Sequence, residues 1–211
     1  MMQDKTSFSL KTLAAATLAA ALLAACGSSP PTQFYTLALP ADGAAARTAS
    51  QGPQTFIEVM PVSVPERLAR PQLVVRSDAT RVEVLEQDRW SSPFNNELRD
   101  ALSAGVAAKL GAIDVSRGGR PADQASYRIN VELRDFDAAR NGQVQASFGW
   151  TITRSDDRRG TACRLTVVER VGGGANADVV AATQKAVGQA VQAIADNVRA
   201  LQAGLGGQCS G

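Results

Sequence analysis

Apolar and polar residues alternate most cleanly in the middle of the chain. Tyr127, Ile129, Val131 and Leu133 interleave with Arg128, Asn130, Glu132 and Arg134, which predicts a strand with one buried and one wet face. A second run places Val144, Ala146, Phe148, Trp150 and Ile152 on one face, and the intervening Asn141-Gly142 is a hairpin signal. A third, Ala162 to Arg170, aligns Cys163, Leu165 and Val167, so three consecutive antiparallel strands are expected. Upstream, Gln33 to Leu39 and Gln54 to Val64 are rich in β-formers, with Pro61 and Pro65 restricting the second run to an edge or a short strand. Gln72 to Arg76 and Arg81 to Glu86 flank Ser77-Asp78-Ala79-Thr80, a predicted hairpin turn, with Val82, Val84 and Glu86 sharing a face.

Elsewhere the period lengthens to between three and four. Ser92 is placed to cap a helix, Pro93 suits its first position, and Phe94, Leu98, Leu102, Val106 and Leu110 recur every fourth residue until Gly111 ends it. A short strand at Ala112 to Ser116 and a Gly-Gly-Arg-Pro loop follow. The last helix begins near Asp178, where Val187, Val191, Ile194, Val198 and Leu201 draw an aliphatic stripe suited to packing on the domain's own sheet; a coiled-coil partner is the alternative.

The N-terminus follows a different pattern. Lys5 and Lys11 precede an apolar run from Leu13 to Ala25 that is too short to span a bilayer, which marks a secretory signal. Leu23-Ala24-Ala25-Cys26 resembles the end of a bacterial lipoprotein signal, implying cleavage before Cys26, a diacylglyceryl thioether on its sulfur and an acylated new amino terminus. Three acyl chains at roughly 0.8 kcal/mol per buried methylene give a firm anchor. Gly27 and Ser28 follow, in place of the Asp typical of lipoproteins kept in the inner membrane, so the outer membrane is expected, with the domain facing the periplasm of a Gram-negative bacterium. The expected organisation is a signal over residues 1–25, a lipidated tether over 26–33 and a single domain over 34–211, with a soft loop from Pro40 to Pro53.

Composition removes whole classes of chemistry. The 211-residue chain has no histidine, so Ser-His-Asp triads, Cys-His dyads and HExxH zinc sites cannot be built from it. Lys and Arg number 22 against 20 Asp and Glu, interleaved along the chain, which does not make a phosphate-binding surface for nucleic acid. No cofactor is expected beyond the covalent lipid on Cys26.

Beyond Cys26, a family resemblance accumulates in order along the chain. Cys26-Gly27-Ser28-Ser29-Pro30, then Phe34-Tyr35-Thr36-Leu37, then Leu68-Ala69-Arg70-Pro71-Gln72-Leu73-Val74-Val75-Arg76, and Asp88-Arg89-Trp90 ahead of the first helix, resemble the PqiC-type ABC-transport auxiliary lipoproteins. After Gly111 the similarity is of pattern rather than motif. The resemblance implies an α/β fold of α+β character: a single three-layer domain with a mixed, partly antiparallel sheet and two long amphipathic helices, similar to the anticodon-binding and TolB N-terminal folds. It also implies partners, namely an MCE-domain protein or ABC transporter subunits that move lipid between the two membranes. The chain itself has no Walker A sequence, so any ATPase is another subunit.

Candidate contact residues each have a functional and a structural reading. Arg70, Arg76 and Arg89 could meet an acidic partner or a lipid headgroup, or could equally form internal ion pairs. Trp90 offers an interface anchor, or fills core beside the first helix. Asp135 and Asp137, two apart at a strand end, suggest paired acids for glycoside chemistry only if a third carboxylate faces them. Asp156-Asp157-Arg158-Arg159 forms a solvated turn, and Gly172-Gly173-Gly174, which lacks a nucleotide-loop fingerprint, forms a flexible connection. In an oxidising periplasm, with Cys26 consumed by lipid, Cys163 and Cys209 remain as an even pair, and a disulfide between them is expected. Three functions compete: a non-enzymatic adapter docking a transport assembly to the outer membrane, a phospholipid carrier with an apolar groove, and a periplasmic enzyme, for which no nucleophile motif exists. A homo-oligomer fits the adapter by analogy alone.

Overall fold

The alternation between Tyr127 and Arg170 builds the larger of two sheets. A computed structural model describes residues 30–38, 54–119, 124–157, 160–205 and 209. The chain divides after Pro31 into two units, and the fold belongs to the second, Thr32–Gly211. Its strands are β1 (Gln33–Tyr35), β2 (Phe56–Val59), β3 (Gln72–Arg76), β4 (Val82–Trp90), β5 (Ile113–Asp114), β6 (Ser126–Ala138), β7 (Gln143–Arg154) and β8 (Gly160–Arg170); its helices are α1 (Phe94–Leu110) and α2 (Asn176–Gln202).

Five strands form one mixed sheet in the order β5-β2-β6-β7-β8, and three form another in the order β1-β4-β3. The antiparallel β6-β7-β8 meander has the predicted faces, with Ile129, Val131, Leu133, Phe148, Trp150 and Ile152 all buried. Asn141, at φ 54°, makes the β6–β7 turn. A register shift between Leu133 and Asp135 bulges β6 and re-aims its end.

The resemblance implied one mixed sheet, and the structure divides the strands between two. Both are mixed: β1 runs parallel to β4 while β3 pairs antiparallel to it, and β2 is parallel to both β5 and β6. The second strand is short, as its prolines require, but it is no edge. Pro61 and Pro65 fall beyond its end, so the missing N–H groups cost the ladder nothing. Past Val59 the chain still follows β6, through Met60 N–H to Ile129 O and Ser63 N–H to Val131 O.

Helix α1 starts at Phe94, with Pro93 just outside it, and ends on Gly111 at φ 60°. Ser92 does not cap it, because its hydroxyl donates to the Glu97 carboxylate instead. Helix α2 starts two residues earlier than predicted. Asp178 accepts the N–H of Ala175 at 3.0 Å, and of the preceding glycines Gly173 and Gly174 are a close fit rather than a loose connection, while Gly172 has open space around it. Asn141 N–H donates to Gly173 O, and a Cβ on Gly173 would stand 2.5 Å from an Asp178 oxygen. Among the described residues no helix is long and apolar enough to cross a membrane.

The two helices pack on each other and on the meander. Leu98, Leu102 and Val106 of α1 meet a core that contains Val187, Val191, Ile194 and Val198 of α2, each such side chain contributing about 1.5–3 kcal/mol by burial. One polar pair sits inside this core: Trp150 Nε1–H donates to Asn197 Oδ1 at 2.9 Å, with Asn197 only 1% exposed. Asn197→Ala leaves that indole N–H without its acceptor, and the expected loss is about 2 kcal/mol, a drop of roughly 1 M in the urea midpoint. Equilibrium urea unfolding followed by tryptophan fluorescence measures it.

Candidate functional site at the N-terminal strand

The residues nearest the predicted anchor are wired into the domain by side chains on three other elements. Thr32, expected in the tether, already donates its hydroxyl to Gln87. Of the predicted Gln33–Leu39 strand, only Gln33–Tyr35 pairs, in register with Asp88–Trp90 of β4; Leu39 lies outside the described residues. Tyr35 Oη donates to Asp88 at 2.8 Å, and burial together with that carboxylate pushes the phenol up to about 12. Beyond the strand, Leu37 is fully buried, and Gln184 of α2 donates its amide to the carbonyls of Thr36 (3.0 Å) and Ala38 (3.1 Å).

At the centre of this junction is Glu97, on the first turn of α1 and 8% exposed. Its carboxylate accepts from Ser91 Oγ at 2.5 Å, Thr36 Oγ1 at 2.9 Å, Leu37 N–H at 2.9 Å and Ser92 Oγ at 3.1 Å. Burial pushes its pKa up, but the hydrogen bonds from Ser91, Leu37, Thr36 and Ser92 outweigh burial and hold the group below the ordinary glutamate range. An anion is thus held by four neutral donors, two from the N-terminal segment and two from the β4–α1 corner. Sequence reasoning missed it, although a signal was present. Glu97 falls between Phe94 and Leu98, on the stripe that the period assigns to the core, and a carboxylate there needs donors.

The residues singled out from sequence are spread over this region without converging. Arg76 Nε lies 2.7 and 2.8 Å from the two oxygens of Asp137, and its Nη1 reaches the carbonyls of Asp78 and Ala79. Arg67 Nη2 meets Asp135 at 3.3 Å and the Phe136 carbonyl at 2.9 Å. The two acids therefore receive one arginine each and join the β3 region to β6 across the gap between sheets. No third carboxylate faces them among the described residues, and each half-exposed pair is worth about 0–1 kcal/mol. The Arg70 carbonyl accepts the Phe94 N–H at the start of α1, while its Nε is buried without a hydrogen-bond partner. Arg89 Nε donates to the Glu86 carbonyl. Trp90, 6% exposed, faces inward with its ring 5.2 Å from Phe94, so it has little surface to offer a partner. Cys163 on β8 is bonded to Cys209. Arg154 holds Asp156 at 2.9 Å, and the Arg158-Arg159 half of that turn lies outside the described residues, as do Cys26, Gly27, Ser28 and the Pro40–Pro53 loop.

Two apolar pockets among the described residues are the candidates for sheltering an acyl chain, and both are nearly filled. The pocket between the small sheet and the helices, lined by Leu68, Leu73, Trp90, Phe94, Phe136 and Val179, has about 10 Å³ free, and the one beneath Phe148 and Leu98 has about 0 Å³. A single water requires as much.

The structure is thus an α/β domain with little free space in its pockets and an N-terminal strand clamped to its core. The chain belongs to the family of ABC-type transport auxiliary lipoprotein components, whose model matches residues 35–195. It is similar to the intermembrane transport lipoprotein PqiC of Escherichia coli, 29% identical over 137 residues, which span 64% of this chain and 71% of that protein. PqiC of Shigella flexneri matches to the same extent. Two crystal structures share the fold at 19% identity. One, of an uncharacterized protein, has a TM-score of 0.63 and covers 80% of this chain and 99% of its own. The other, from Xanthomonas campestris, has a TM-score of 0.57 and covers 74% and 91%.

Proposed function

We propose that this chain is the outer-membrane lipoprotein subunit of an intermembrane lipid-transport system, of the kind built from an MCE-domain protein or an ABC transporter. It acts there as a non-enzymatic docking component. Cys26 carries the lipid, the domain faces the periplasm, and the transporter subunits supply energy and the lipid path. The likeness to PqiC supports the system. The observation that carries the docking role over the carrier role is the packed interior, with about 10 Å³ free between the small sheet and the helices, far below the volume of an acyl chain. The clamped N-terminal strand suits docking too, because a load on the anchor passes through Glu97 into α1 rather than into a loose leash.

Native mass spectrometry of the mature protein, expressed with its own signal in a Gram-negative host and extracted in mild detergent, tests this. The expected result is a triacyl mass increment on Cys26, loss of membrane association in Cys26→Ala, and no lipid on that variant. A phospholipid bound one-to-one to the Cys26→Ala protein overturns the docking role in favour of the carrier, and an unmodified Cys26 in the membrane fraction overturns the anchor.

A further inference from the structure

Among the described residues, the small sheet leaves two large apolar side chains bare, Phe34 on β1 and, at 49% exposed, Val82 at the far end of β4. Phe34 is 67% exposed. It lies on β1, a three-residue edge strand, and its partner across the ladder is Arg89, which in turn pairs with Gln72 of β3. Residues paired across neighbouring strands share a face. Tyr35 and Trp90, the next pair along, turn inward, so Phe34, Arg89 and Gln72 form a row across the outer face of all three strands. Arg89 is tied to the protein by Nε to the Glu86 carbonyl and, at 3.8 Å, by Nη2 to the Glu86 carboxylate. Its Nη1 has no partner among the described residues.

Chain length limits how far this face can stand from the predicted anchor. Cys26 lies six residues before Thr32, the first side chain bonded to the domain. Fully extended, six residues span at most about 20–22 Å, so the start of β1 stays within that distance of Cys26 and of any bilayer surface that its lipid enters. The clamp on Thr36 and Leu37 prevents the strand from peeling away to lengthen that reach. Of the large apolar side chains exposed among the described residues, Phe34, Val82, Ile113, Val168 and Leu205, Phe34 alone stands within ten residues of Cys26.

We propose that Phe34 inserts into the membrane interface while Arg89 beside it takes a phospholipid phosphate, so that the domain rests on the bilayer by the outer face of its small sheet. The inference rests on the acylation of Cys26. An apolar ring flanked by a basic side chain suits shallow burial at the boundary between headgroups and acyl chains, and the guanidinium Nη1 donors suit a phosphodiester. The arrangement fixes the orientation of the domain, which the acyl chains alone leave free to swivel.

The test uses the full mature lipoprotein with Phe34→Trp, reconstituted into phosphatidylethanolamine and phosphatidylglycerol vesicles with and without brominated acyl chains. Val168→Trp, on the exposed face of β8, is the control; the two native tryptophans are buried and contribute a constant background. Quenching several-fold stronger at position 34 than at 168, weakened by Arg89→Gln, is the expected result. Equal, weak quenching at both positions in a preparation whose mass shows acylated Cys26 overturns the insertion while leaving the anchor intact. Blue-shifted but unquenched emission from the indole introduced by Phe34→Trp overturns it in favour of burial against protein. An unacylated Cys26 overturns the anchor and the insertion together, and the mass spectrum tells that failure from the others.

Discussion

Glu97→Ala is expected to destabilise the domain by about 3–4 kcal/mol, a fall of roughly 6–16 °C in Tm for a domain of this size. The substitution removes one carboxylate and leaves the hydroxyls of Thr36, Ser91 and Ser92 and the N–H of Leu37 without their acceptor. The hydroxyls, only partly buried, recover some hydrogen bonding from water; the Leu37 N–H is deep and does not. Hydrogen exchange localises the damage, with protection lost first at the amides of Leu37 and Ser91, while β6 and β7 keep theirs. Glu97→Gln keeps the volume but turns two N–H donors toward donors, so it lies between wild type and alanine.

The same group sets a pH dependence. Its folded pKa is held below that of the unfolded chain, so the folded state favours the anion. The stabilisation is complete above the unfolded value, near 4.3–4.5, and disappears as the pH falls through the lower folded one. Thermal unfolding of wild type against Glu97→Gln from pH 7 to pH 3 should show the wild-type advantage shrinking below about pH 4.5. Asp114 acts in the same direction, since its bonds from Ser103 and Ser116 and the nearby Arg99 outweigh its burial, so the wild-type slope does not vanish entirely in the glutamine variant.

What could be read from sequence was whatever a single face decides. Phe148 and Trp150 had to face the core because their neighbours on β7 are polar or small, and a one-residue slip would have turned every one of them outward. The α1 stripe was legible for the same reason. What escaped was set by groups distant in the chain. Thr36 meets Glu97 across 61 positions and Trp150 meets Asn197 across 47, and no local period encodes such partners. The division into two sheets escaped as well, because strand identity is local whereas pairing is not: β2 looks like an edge until β5, more than fifty residues later, closes its outer side. Asp135 and Asp137 were noticed for their spacing, yet their use depends on Arg67 and Arg76 arriving from β3 and the turn before it. The family motifs in turn coincide with this junction. Phe34-Tyr35-Thr36-Leu37 and Asp88-Arg89-Trp90 are the two strands that pair beside Glu97, so the residues that carried the resemblance are those that hold the N-terminus to the domain.

Loss of the Cys163–Cys209 bond is expected to cost as much as loss of Glu97, by a different route. The bond joins β8 to the chain beyond α2 across a sequence separation of 46, so it restrains the whole last helix in the unfolded ensemble. Chain entropy for a loop of that length gives about 4 kcal/mol. Peptide mapping without reductant should recover the two cysteines as one linked species. The Cys163→Ala, Cys209→Ala protein should retain its fold, since the helix keeps its contacts through Val187, Val191, Ile194 and Val198, but should unfold at a lower urea concentration with a larger m-value from its freer denatured state. Because Cys163 is buried and Cys209 exposed, limited reduction followed by alkylation should label Cys209 first and Cys163 only on opening of the β8 edge. Equal labelling rates would mean that β8 opens as readily as the tail, and would move the weak point of the domain from its terminus to its sheet.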